Sequence, residues 1–174
     1  TGTFPYLIAF DRDSPRVNLL GGSLDIQADA IGSVIRMEAA ITKGEEFPST
    51  MQPRLFKESK VVRYVIGLDR PTFIPMLNKD RTFLISGQIF GQHLLDHEQA
   101  DGPLGRIGMP DWKDNWIGTL LVKGWYQNDR LSPQLLMAYD VRAQAGAVAP
   151  SVEWLVTDNL KLTFGANIKA GTGA

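Results

Sequence analysis

Cysteine is missing altogether from the 174 residues. That excludes a disulfide scaffold and any thiolate metal site. A long apolar run is missing too: no segment approaches the roughly 20 consecutive apolar residues that a membrane-spanning helix needs. Neither sign of charge is in excess, with 18 Lys and Arg against 19 Asp and Glu. No basic surface of the kind that binds nucleic acid is therefore expected. The chain opens on Thr1–Gly2–Thr3 without a basic and then hydrophobic leader, so any signal is expected to have been removed or to lie beyond this sequence. Gly-x-Ser-x-Gly does not occur, and the glycines are scattered rather than gathered into a phosphate-binding loop. The length suits one domain, residues 1–174.

What the sequence does have is alternation. From Trp116 to Tyr126 the even positions read Trp116, Gly118, Leu120, Val122, Gly124, Tyr126, while Thr119 and Lys123 fall among the odd ones. After the polar group Gln127–Arg130 the pattern resumes, with Pro133, Leu135, Met137, Tyr139, Val141 set against Gln134, Leu136, Ala138, Asp140, Arg142. A period of two sustained over about ten residues and bounded by turn residues predicts strands. The same reading predicts strands at Thr3–Phe10, Val17–Ala28, Ile31–Ile41, Val61–Asp69, Thr82–His93, Ala147–Thr157 and Leu160–Lys169, about nine in all. Turns are expected at Asp11–Pro15 and near residues 29, 79, 129 and 158, with a short connection over Ala143–Gly146. Lys43–Lys60 and Leu94–Asn115, polar and carrying prolines, are expected as long loops.

Each strand has one apolar face tipped by aromatics and one face bearing charge. That pattern suits an antiparallel up-and-down transmembrane β-barrel, with lipid outside and a polar lumen inside. Short connections at one end and long ones at the other agree with it. Single-chain bacterial barrels carry an even number of strands, so this chain is expected to be part of a larger barrel, with strands before Thr1 and after Ala174.

Val65–Phe73 (VIGLDRPTF), Gly87–Gln92 (GQIFGQ) and Ala149–Trp154 (APSVEW) resemble a proteobacterial outer-membrane β-barrel family of unknown function. The likeness runs from about Gly21 to Lys169 and corresponds to the C-terminal portion of longer members. It implies a protein of the bacterial outer membrane, in contact with lipid bilayer and lipopolysaccharide, with exporter or periplasmic lipid-handling proteins as partners. It brings no catalytic residue and no cofactor.

Under the barrel reading the lumen face collects Arg36, Glu38, Arg63, Asp69, Lys123, Asp140, Arg142, Glu153, Lys161 and Lys169. These either line a conduit or pair across strands to fill a narrow interior. Phe90, Leu121, Trp125 and Leu136 point the same way and suit a packed constriction or an apolar cargo. Tyr64, Phe73, Trp116, Tyr126, Tyr139 and Trp154 are expected near strand ends or in turns, as an interfacial girdle or as ordinary sheet packing.

His93, Asp96 and His97, with Glu98 and Asp101, are the one cluster with metal-ligand chemistry, set against the plainer reading of a solvated loop. Glu45–Glu46 and the Asp111 and Asp114 carboxylates are expected as exposed charges that divalent ions could bridge in lipopolysaccharide. Ser86 and His93, a conceivable catalytic pair, fall on opposite faces of one strand. Three functions follow from these readings: an outer-membrane channel or export partner for small or apolar molecules, a soluble lipocalin-like binding protein with the apolar face inward, and a lipid-acting barrel enzyme.

Overall fold

A computed structural model describes residues 16–109 and 112–171. The expected strand Thr3–Phe10 and turn Asp11–Pro15 lie outside them. The described chain is all-β, with one 3-10 turn at Asp29–Ile31 and no α-helix. The strands are β1 (Asn18–Ala28), β2 (Ser33–Pro48), β3 (Phe56–Thr72), β4 (Phe83–Leu94), β5 (Gln99–Gly102), β6 (Gly105–Gly108), β7 (Asp114–Lys123), β8 (Leu131–Asp140), β9 (Ala145–Thr157), β10 (Leu160–Gly165) and β11 (Ile168–Gly171). Nine form one antiparallel sheet in the order β1-β2-β3-β4-β7-β8-β9-β10, with β11 also on β9; β5 and β6 form a separate hairpin. Among the described residues β1 and β10 do not pair with each other, so the sheet has two open edges. No helix of the described residues is long and apolar enough to cross a membrane.

Two expected loops turn out to be built of strand. Lys43–Lys60 is mostly the far end of the β2–β3 hairpin: Glu45 pairs with Ser59, Glu46 with Glu58, Phe47 with Lys57 and Pro48 with Phe56, leaving residues 49–55 as the connection. Its polar composition misleads because a bulge between Lys43 and Glu45, at Gly44 with φ +91°, resets the alternation that a period-two reading relies on. Leu94–Asn115 likewise contains the β5–β6 hairpin and the start of β7. In the other direction, the connection over residues 73–82, expected as a tight turn near Asn78–Asp80, takes ten residues. The strand expected over Leu160–Lys169 is broken at Ala166–Asn167 into β10 and β11. Both pieces pair with β9, so the alternation survives the break.

The fully buried apolar side chains lie off the middle of the sheet. Phe47, Val61, Leu94 and Met109 form one cluster, with Trp112 packed against it edge-on to Phe47 at 5.7 Å. This small core fastens the β5–β6 hairpin beside the β2–β3 hairpin. Lys57 forms an ion pair with Glu98. Thr50 N–H donates to the Gly108 carbonyl, and Gly108 N–H donates to Thr50 Oγ1, at 3.1 and 2.8 Å. At the opposite end Phe83 is buried under Tyr126, 6.2 Å between rings. A side chain at Gly124 would collide with that phenylalanine at 2.6 Å, which is why glycine stands there.

Candidate functional site: a two-faced sheet

Because side chains alternate across a strand, the register assigns every residue a face. Leu24, Met37, Ile66, Ile89, Gly118, Tyr139 and Gly146 stand abreast, and the next row is Ile26, Ile35, Leu68, Gly87, Leu120, Met137 and Val148. No charged residue interrupts these rows, and they are open: Leu24 is 54 % exposed, Ile66 49 % and Ile89 55 %. Tyr64, Trp116 and Tyr139 border this field on the side of the β5–β6 hairpin. Tyr126 and Trp154 border it on the side of the shorter turns. Five of the six girdle residues named from the sequence stand on this face. Phe73, by contrast, sits exposed in the 73–82 connection, and the buried Phe83 was not anticipated.

The borders run level across the strands that carry them: Tyr64, Gly91 and Trp116 stand abreast at one end, and Tyr126, Leu131 and Trp154 at the other. An open groove of about 1080 Å³ crosses this face, floored by Gly87, Gly118 and Gly146 and walled by Ile66, Leu120, Tyr139 and Ile168.

The other face carries charge in sets of opposite sign. Arg36 pairs with Asp25 at 3.5 Å and with Asp69 at 3.1 Å. Arg63 donates to both carboxylate oxygens of Glu45, at 2.5 and 2.7 Å, and Thr42 joins them. Glu153 takes Lys123 at 3.6 Å and Lys161 at 3.4 Å. Nine of the ten expected lumen residues thus share a face by register, among them Asp140, opposite Ile117 and Ala145, and Lys169, opposite Ala147. Glu38 stands between Ser23 and Val65 there.

Asp140 ends β8 on that face and accepts the backbone N–H groups of Arg142 and Ala143, both at 2.9 Å, so its carboxylate shapes the turn; the tenth, Arg142, is relocated. Arg142 lies in that turn with its guanidinium over the Trp112 ring at 5.7 Å. Asx turns of this kind are local backbone chemistry, invisible to face assignment. Phe90, Leu121 and Leu136 share the charged face, forming a neutral strip between the ion-pair sets. Trp125, past the end of β7, lies 5.9 Å from the Lys123 ammonium.

Glu45, which the sequence marked only as a loop charge, is the partner of Arg63. Beyond the apolar field, Arg63's hydrogen bond holds the Glu45 carboxyl below its ordinary value, as Lys57's does for Glu98. The expected metal cluster is dispersed. His93, on the apolar face of β4, pairs with Asp114; Asp96 accepts from the Lys60 N–H; Glu98 engages Lys57 and Gln52. Among the described residues no three His, Cys, Asp or Glu side chains converge on a metal-sized space. Ser86 stands on the charged face, buried and away from His93.

Compared with known proteins, the chain matches no family model, no curated protein and no solved structure, so the functional argument rests on the sheet itself.

Proposed function

We propose that this chain is a segment of an outer-membrane β-barrel whose apolar face meets acyl chains and whose charged face lines the lumen of a conduit for small or apolar molecules. The observation that carries this reading is the exposed, aromatic-bordered apolar field. Monomeric soluble proteins rarely leave contiguous apolar surface beyond a few hundred Å² open to water, and the rows of this field cross seven strands.

On the opposite face, paired charges of both signs suit a wet interior without a strong single-sign field. The resemblance of Val65–Phe73, Gly87–Gln92 and Ala149–Trp154 to a proteobacterial outer-membrane family agrees with the reading, and would place the protein in the bacterial outer membrane beside lipopolysaccharide and exporter or periplasmic partners.

Flotation tests the membrane part. Protein refolded with phospholipid vesicles should rise with them through a density gradient and resist alkaline extraction; recovery as a monomer in detergent-free buffer would sink the reading. Stepwise conductance in planar bilayers is the expected sign of a conduit, and insertion without conductance would reduce the barrel to an anchor. The groove on the apolar face favours a second reading, a soluble lipocalin-like protein curled with that face inward around an apolar ligand. The same gradient separates the two, because the soluble form would stay at the bottom.

A further inference from the structure

Just past the apolar field, on the same face, the β2–β3 hairpin sets like charges directly opposite each other. Lys43 is the cross-strand partner of Lys60, next to the paired Ile41 and Val62, and Asn18 of β1 stands beside Lys43. Directly opposed like charges destabilise a sheet. Both lysines are exposed, and among the described residues neither forms an ion pair with a carboxylate. Asp96 accepts from the Lys60 backbone N–H at 3.4 Å, and Asp114 is held by His93 in the row of Val62. Glu46 and Glu58 oppose each other in the next row outward, so the cationic spot is one row deep and abuts the apolar border.

We infer that Lys43 and Lys60 form a binding site for the phosphate of a membrane lipid headgroup. The spot is a pair of ammonium donors within reach of one compact anion, and the surface leading away from it on one side is branched aliphatic: Ile41, Val62 and Leu20. A ligand matching both halves carries a phosphate joined to acyl chains. The acidic row beyond it disfavours an extended polyanion. The phosphate relieves the repulsion between the lysines, and the chains cover apolar surface that water now meets. The assignment rests on the membrane reading above, since it places this hairpin at the headgroup level.

The test separates the two claims. Wild-type protein, the double variant Lys43→Gln/Lys60→Gln and the double variant Lys43→Arg/Lys60→Arg are floated on vesicles of phosphatidylcholine, with and without phosphatidic acid. They are then titrated in detergent with phosphatidic acid and, separately, with inorganic phosphate. Flotation of wild type on phosphatidylcholine alone tests insertion; its failure overturns the membrane reading and this assignment with it. Given insertion, affinity for phosphatidic acid should fall about fivefold for each lysine removed and about thirtyfold for the Gln pair, with the Arg pair retaining it. An unchanged affinity in the Gln pair overturns the assignment alone. Inorganic phosphate competing as strongly as the lipid also overturns it, by making the site one for a free anion.

Discussion

Tyr64 lies across Gly91, its direct partner on β4, so closely that a Cβ at Gly91 would sit 2.1 Å from the ring. The pair places an aromatic at the border of the apolar field by giving it a bare backbone to rest on. Gly91→Ala should therefore displace the ring and destabilise the protein by about 1–3 kcal/mol in urea titrations, as overpacking does. The same change in a Tyr64→Ala background should cost measurably less, because the two sites share the contact. At the same scale, Glu45 and Glu98 have carboxyls held below their ordinary value of 4.5 by hydrogen bonds from Arg63 and Lys57. A folded value below the unfolded one stabilises at pH above the unfolded value, and that contribution is lost as pH falls through the folded one. The melting midpoint should be flat from about pH 6 to 8 and fall below pH 4.5, with the fall reduced in a Glu45→Gln/Glu98→Gln variant. Neither pairing was legible in the sequence: the bulge at Gly44 hides the first, and the second spans 41 positions between the ends of two hairpins.

At the scale of the strand the sequence was far more informative. Alternation alone placed Trp116, Leu120 and Tyr126 on one face and Thr119 and Lys123 on the other, because a period of two leaves no freedom once a segment is extended. It failed where that period is interrupted, at the bulge in β2, or where polar residues cover both sides, as in β5 and β6. Strand ends also drifted: β7 stops at Lys123, since Gly124–Tyr126 turns to admit Phe83 and bridges back to Leu131. The face assignment predicts a contrast between neighbours. Leu120→Arg should cost about 2–4 kcal/mol of folding into bilayers, as a charge does at mid-membrane on a lipid-facing strand. Thr119→Arg, one residue away, should leave folding into the same vesicles close to wild type. Equal costs at the two positions would remove the distinction between the faces.

For the molecule as a whole, the arrangement inverts that of an ordinary globular domain. Among the described residues the buried apolar side chains are confined to clusters beyond the ends of the apolar field, while the broadest apolar surface is bare. Such a sheet needs something apolar against that face, whether acyl chains or its own curled interior. The lack of cysteine makes the two separable, since every introduced thiol is unique. Single cysteines at each position from Trp116 to Lys123, labelled with a small fluorophore in lipid vesicles, can be exposed to a quencher carried on the acyl chains and to aqueous iodide. If acyl chains cover the face, the lipid quencher reaches positions 116, 118, 120 and 122 and iodide reaches those between them, alternating at every step. Even positions shielded from both quenchers would show that the apolar face is enclosed within the protein, and would contradict the account.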